Sequence, residues 1–175
     1  VSEMRHFYYW LKDLALTVLT FNLFITKGII RQSLRNEKFN NVLDLGCGTG
    51  SYSFLFNPKV YIGVDLDEAV IKYARKRHPK YKFKAVDARE LNLDEKFDLI
   101  LIVGVLHHLN DADTEKVLKG MASYLNHPGK IIIIEAIPPL KKWNLLGFIL
   151  RKWDNWDRGN FIRTTSEYKN LVEKK

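Results

Sequence analysis

The chain has a single cysteine, Cys47, so no disulfide can form within it and packing alone must hold the fold. One cysteine fits a reducing compartment, and a cytoplasmic location is the expectation. No run reaches the roughly 18 apolar residues that a spanning helix needs. The most apolar stretch, 14–26, contains Asn22 and is bounded by Asp13 and Lys27. A cleavable leader is not expected: Arg5 and Lys12 flank aromatic residues, and no small-residue cleavage site stands out. Metal-ligand spacing is missing too. His107 and His108 are adjacent rather than a helical turn apart, so no metal is expected. Internal repeats, low-complexity tracts and Gly/Ser linkers are absent.

What remains is one domain's worth of chain: 175 residues, 46% hydrophobic, enough to bury a sizeable core. The net charge of +8 is unevenly placed. Residues 1–40 carry +3 and residues 141–175 carry +5, while the stretch between them is neutral. All four tryptophans, Trp10, Trp143, Trp153 and Trp156, also lie in these flanks. The neutral middle reads as an ordinary core, and the flanks are where partner preference is to be sought.

Strand-like and helix-like runs alternate through that middle, which predicts an α/β fold: a doubly wound, mostly parallel sheet with helices on both faces. Strands are expected at 41–45, 60–64, 82–86, 97–103 and 130–136. Near-continuous apolar runs such as Leu99-Ile100-Leu101-Ile102-Val103 suit strands covered on both sides. Helices are expected at 68–77 and 113–125 from their apolar spacing, with Gly129 ending the second and starting the next strand. The first forty residues read as helix with Gly28 as a soft spot. Residues 138–161 read as irregular around an amphipathic stretch. Thr164-Thr165-Ser166-Glu167 has the form of a capping box opening a last helix, 167–173. The expected organisation is a single domain: a helical lid (1–40), a ligand-binding core (41–137), an insertion (138–163) and a last helix (164–175).

Val42-Leu43-Asp44-Leu45-Gly46-Cys47-Gly48-Thr49-Gly50 places an apolar strand directly before a glycine turn that is expected to enter a helix. Gly46 and Gly48 remove side chains where backbone must approach a ligand or take positive φ. A dinucleotide fingerprint would require glycine at position 51, where this chain has Ser51. A phosphate-binding P-loop would require Lys-Ser/Thr after the last glycine, and none follows. Tyr61-Ile62-Gly63-Val64-Asp65 then ends a second strand in a carboxylate placed to accept two ribose hydroxyls. The alternative is that Asp65 only caps the next helix, for which Asp67 is also available.

With Gly63-Val64-Asp65-Leu66-Asp67, Val86-Asp87-Ala88, Phe97-Asp98-Leu99-Ile100 and Val105-Leu106-His107-His108-Leu109, this series resembles the class I S-adenosylmethionine-dependent methyltransferases, of Rossmann-like fold, over about residues 41–136. The resemblance implies that the backbone around Gly46, Cys47 and Gly48 meets the methionine moiety. It implies that Asp44 supports the ammonium directly or through water, that Asp65 holds the ribose and that Leu66 packs on the adenine. Asp87 would accept from the adenine amino group with the Ala88 amide nearby, and residues around Val103 would line the reactive end. Asp87 read without the family is a loop carboxylate in solvent. Asp98 begins a strand, which puts it at the wrong edge of the sheet for binding.

Methyl transfer from a sulfonium is an in-line displacement from an activated donor, so alignment and water exclusion are the protein's main tasks. A base is needed only when the acceptor must lose a proton. His107 and His108 are the catalytic candidates, undecided between them, and the alternative is a polar turn whose rings bond backbone groups.

In this family the N-terminal helix and the insertion after the fifth strand form a lid over the acceptor. Here both are basic and Trp-bearing. Residues 143–153 set an apolar stretch between Lys141-Lys142 and Arg151-Lys152, as an interfacial helix would. A small, lipophilic acceptor and peripheral membrane contact are therefore expected. The alternative is packing of the flanks on each other or on a second subunit. Nucleic acid is disfavoured, since the basic residues sit among aliphatic runs.

Only five strands can be counted, whereas the family's core adds a C-terminal hairpin. The expectation is a trimmed chain, which Val1 also suggests, or a shortened fold with strand five exposed to dimerisation. The rival readings are a non-catalytic methyltransferase-like binding module acting through a protein partner, and a nucleotide-dependent oxidoreductase, which Ser51 disfavours.

Overall fold

The computed structural model describes residues 22–135 and 159–173. All four tryptophans and the amphipathic stretch 143–153 lie outside the described residues. Element order is α1 (Asn22–Ser33), β1 (Val42–Leu45), β2 (Tyr61–Asp65), α2 (Glu68–Arg77), β3 (Lys82–Ala85), β4 (Phe97–Val103), α3 (Asp111–Tyr124), β5 (Leu125–Ile134) and α4 (Thr165–Glu173). The strands form one fully parallel sheet in the order β3-β2-β1-β4-β5. The order reverses beside β1, so the crevice at the carboxyl ends of β1 and β4 is the topological switch point.

Strand alternation divides the core in two. Leu43, Leu45, Ile100 and Ile102 face one side and pack with Val117 and Met121 of α3 and Tyr168 of α4. Val42, Leu99 and Leu101 face the other and pack with Ile30 of α1 and Ile71 and Ala74 of α2. Both faces of the central strands are thus covered, which is why their sequences run apolar at successive positions. At the β3 edge only Phe83 is buried, and Lys82 and Lys84 face solvent, which discourages pairing with another sheet.

Three expectations need correction. The glycine turn does not enter an α-helix: a single 3-10 turn, Ser53–Leu55, follows it. Ser, Tyr, Phe and Asn are mediocre helix formers, and Pro58 blocks any continuation, so the short stretch before β2 cannot propagate a helix. Strand β5 starts at Leu125 rather than 130, directly off α3. Its register to β4 jumps from Phe97↔Leu125 to Leu99↔Lys130, so residues 126–129 bulge out of an already begun strand. The last helix begins at Thr165, because the capping box closes on Thr164. The Thr164 amide donates to Glu167 Oε2 at 2.7 Å, and the Glu167 amide donates back to Thr164 Oγ1 at 3.4 Å.

Asp98 sits at the amino edge of the sheet, as its position in the strand predicted. It accepts from the Asn40 amide at 2.8 Å and from Asn126 Nδ2 at 2.7 Å, joining the entry of β1 to the bulge of β5.

Asp44, only 1% exposed, lies on the α1/α2 side of β1. Its Oδ2 accepts from Tyr61 Oη at 2.6 Å. Burial pushes its carboxyl up to about 7, against the hydrogen bond from Tyr61, and the nearby Asp65 charge adds to the rise. Since the unfolded value lies near 3.9, the folded state holds a proton that the unfolded chain releases between the two. That advantage is present at low pH and is lost as pH rises towards neutrality. Thermal unfolding of Asp44→Asn should therefore show a flatter decline than wild type between about pH 4 and pH 7, with the variant gaining relative stability at the upper end. Parallel pH profiles would remove the assignment.

Candidate functional site

A cleft of about 520 Å³ opens at the switch point. Its walls come from the carboxyl ends of four strands and the turns that follow them: Leu45, Gly46 and Gly48 after β1, Val64 to Asp67 after β2, Val86 to Arg89 after β3, and Gly104, Val105 and His108 after β4.

The turn after β1 is held by the end of β2. The amides of Gly46 and Cys47 both donate to Val64 O, at 2.8 and 2.9 Å, and the Gly48 amide donates to Asp65 Oδ2 at 2.9 Å. Gly46 and Gly48 take φ of +69° and +53°, and a Cβ on Gly46 would collide with Val105 Cγ2. Asp65 Oδ1 accepts the Asp67 amide at 3.0 Å, while Asp67 itself caps α2 through the Ala69 and Val70 amides. The capping role left open for Asp65 thus falls to Asp67. Asp65 organises the glycine turn and presents its carboxylate to the cleft.

Leu66, 67% exposed, forms an apolar rim, the surface a purine face requires. Asp87 caps the 3-10 turn Ala88–Glu90, accepting the Arg89 amide at 2.8 Å. Its carboxylate is also gripped by the Arg89 guanidinium, with Nη2 to Oδ2 at 2.6 Å and Nε to Oδ1 at 3.0 Å. That hydrogen-bonded guanidinium holds the Asp87 carboxyl below its ordinary range. Arg89 reaches on to Asp113 at the start of α3, at 3.5 Å. The sequence singled out neither Arg89 nor Asp113, whose spacing carries no motif.

The cleft gathers Gly46, Gly48, Asp65, Leu66, Asp87, Ala88 and His108. Other candidates lie elsewhere. Asp44 is buried against Tyr61, and Val103 packs in the α1/α2 layer. The Cys47 side chain also points into that layer, where burial raises its thiol, so only its backbone faces the turn.

The two histidines part company. His107 is 4% exposed, and its Nδ1 lies 2.7 Å from Glu135 Oε2, a carboxylate at the end of β5. Glu135 Oε1 also accepts the amides of Val105 at 2.8 Å and Leu106 at 2.7 Å. His108 is exposed on the cleft wall, its ring centroid 4.2 Å from that of His107. Phe161, on the segment entering α4, closes one side of the cleft, and its amide donates to His107 O at 3.0 Å.

Comparisons with known proteins agree with this geometry. A family model described as a methyltransferase domain matches residues 42–129. The chain is 30% identical over 109 residues to the tRNA (carboxymethyluridine(34)-5-O)-methyltransferase of Saccharomyces cerevisiae, covering 60% of this chain and 39% of that protein. It is 29% identical over 138 residues to the demethylmenaquinone methyltransferase of Thermotoga maritima, covering 74% and 59%. Among solved structures, the N-methyltransferase NodS of Bradyrhizobium japonicum in complex with S-adenosyl-L-homocysteine superposes with a TM-score of 0.70 at 20% identity, covering 90% of this chain and 76% of that one. The chain spans less than two thirds of the length of either curated relative.

The residues present fit an adenosyl sulfonium. Among the described residues, four carboxylates, Asp65, Asp67, Asp87 and Asp113, line the cleft against one guanidinium, Arg89, which two of them already bind. Such a rim favours hydroxyl, amino and cationic groups and repels phosphates. Because Asp65 both faces the cleft and holds the Gly48 amide, Asp65→Ala should weaken S-adenosylhomocysteine binding by about 10- to 100-fold, the loss of a charge-assisted hydrogen bond or two. Calorimetry measures it, and unchanged affinity in a folded variant would overturn the assignment. The parallel sheet, the glycine turn and the family model place the chain among the class I S-adenosylmethionine-dependent methyltransferases, in the methyltransferase-domain family.

Proposed function

We propose that this domain transfers the methyl group of S-adenosylmethionine to a hydroxyl or amine of a small, lipophilic acceptor, with His107 taking the acceptor's proton. The Glu135–His107 pair carries this reading. A carboxylate on Nδ1 selects the tautomer whose lone pair is on Nε2 and favours the imidazolium that forms when that nitrogen is protonated. Bound S-adenosylmethionine supplies an activated methyl on a sulfonium. The chain's own residues do the rest: the turn at Gly46 and Gly48 seats the ligand backbone-to-edge, Asp65 orients it, and Phe161 narrows the cleft against water. His108 lines the cleft and contributes polarity to its wall, with the buried His107 ring behind it, centroids 4.2 Å apart.

The relatives differ in what their names say they methylate, so the acceptor is to be identified by assay. Release of S-adenosylhomocysteine should be followed with catechols, quinols, amines and, because of the yeast relative, tRNA. With the acceptor found, His107→Asn should lower kcat by about 10²- to 10⁴-fold, the usual contribution of a general base, while S-adenosylhomocysteine still binds. The acidic limb of the kcat profile should vanish with it. Full activity in His107→Asn alongside loss in His108→Asn would move the role to His108. Methylation of tRNA alone would overturn the small-molecule reading.

A lipid-proximal acceptor is supported by the cationic side of α1. Lys27 Nζ lies 4.5 Å, and Arg31 Cζ 5.9 Å, from the ring centroid of the exposed Phe54. Cations gathered around an exposed aromatic side chain suit an anionic bilayer surface. No helix among the described residues is long and apolar enough to cross a membrane. The domain should co-sediment with anionic vesicles at low salt, and less so at high salt or after Lys27→Glu with Arg31→Glu. Absence of binding at either salt would defeat the membrane contact.

A further inference from the structure

The turn that carries both histidines is gripped from two directions, and the second grip has no counterpart in the sequence motifs. Arg163, 6% exposed, lies on the segment that enters α4. Its Nη1 donates to Leu106 O at 2.9 Å and to Phe161 O at 3.1 Å. Its Nη2 donates to Leu109 O at 2.7 Å and to Asp111 Oδ1 at 2.8 Å, and its Nε to the same Asp111 oxygen at 3.0 Å. Those five contacts match the five N–H donors of a guanidinium. Two end on the carbonyls that flank the His107-His108 pair. The Phe161 amide takes the carbonyl of His107 between them. On the opposite side, Glu135 holds the Val105 and Leu106 amides and the His107 ring.

We propose that Arg163 is a positioning residue that sets the pose of His107. The inference rests on the reading of His107 as the base. A guanidinium can bracket two carbonyls 3 residues apart only because its donors fan out in a plane, and an ammonium cannot reproduce that fork. The charge is neutralised by Asp111 at the first turn of α3, so the guanidinium is pinned in place. With the carbonyls fixed, the 3-10 turn Leu106–His108 cannot rotate, and the His107 ring stays on Glu135. Gly159 abuts the other edge of that ring: a Cβ there would meet Nε2 at 3.2 Å and overlap Cδ2. The imidazole therefore has one seat, defined by Glu135 at one edge and by Gly159 at the other, on a turn whose carbonyls Arg163 holds.

The experiment uses Arg163→Lys in the full chain, with three readouts. Long-range ¹H–¹⁵N spectra of the histidines report the tautomer of His107, calorimetry reports S-adenosylhomocysteine affinity, and steady-state kinetics separate kcat from KM on the acceptor found above. A folded Arg163→Lys should show His107 no longer in a single Nδ1–H form. Its kcat should fall about 10- to 100-fold, as expected for a base displaced by about an ångström, with the acceptor KM little changed. A His107 signature and kcat equal to wild type would overturn the proposal. If Arg163→Lys does not fold, Asp111→Asn serves instead: it removes the counter-charge and should shift the same His107 signal in the same direction by a smaller amount, and no shift would equally overturn the proposal. Failure of the base reading is separable, because it appears as full kcat in His107→Asn while the spectra still judge Arg163.

Discussion

A ligand can approach a backbone turn closely only if something holds that turn open, and here a carboxylate at the end of a neighbouring strand does so. Parallel register sets Leu45 of β1 level with Val64 of β2, so the turn leaving β1 meets the last residues of β2 at the same height. Val64 O takes the first two amides of the turn and Asp65 takes the Gly48 amide. The turn thereby spends its leading donors on the sheet and leaves a cleft beside β4. A side chain at Gly46 would fill that space, and positive φ would strain a non-glycine residue by about 1–2 kcal/mol. Glycine and carboxylate form one device, with Asp65 belonging to the scaffold and to the site at once.

The device works because the sheet beneath it is rigid. Apolar side chains cover both faces of β1 and β4, one layer on each side of the sheet. Asp44 is the exception, a carboxyl in the α1/α2 layer two residues before Gly46, answered there by Tyr61. An acid so placed is stable chiefly when neutral or hydrogen-bonded. It lies on β1 two residues before the turn, outside the described lining of the cleft.

The fold was legible where burial writes a pattern. Runs such as Leu99-Ile100-Leu101-Ile102-Val103 announce a strand covered on both faces, and Thr164 with Glu167 announces a helix start, because each pattern follows from a local rule. The cofactor edge was legible for a related reason: glycines and an acid at strand ends have few other uses. What escaped was set by contacts distant in sequence. Arg89 bridging Asp87 to Asp113, and Arg163 reaching Leu106 and Leu109 across more than fifty residues, leave no periodic trace. The helix expected after the glycine turn failed because Pro58 and weak helix formers outweighed the motif's usual context. His107 and His108 looked equivalent because adjacency hides direction. On a 3-10 turn successive side chains point about 120° apart, so one ring is buried on Glu135 and its neighbour faces the cleft.

Glu135 and Arg163 stand next to the two ends of residues 136–158, and they use opposite chemistry on the same turn. A carboxylate can only accept, and it takes amides. A guanidinium can only donate, and it takes carbonyls. A short turn between a strand and a helix exposes both kinds of unpaired group, each costing about 1–3 kcal/mol if buried without a partner. Answering the amides from one side and the carbonyls from the other removes that cost and leaves the histidines in a single pose. Among the described residues, the groups that hold the turn lie on both sides of residues 136–158, Glu135 before them and Phe161 and Arg163 after them.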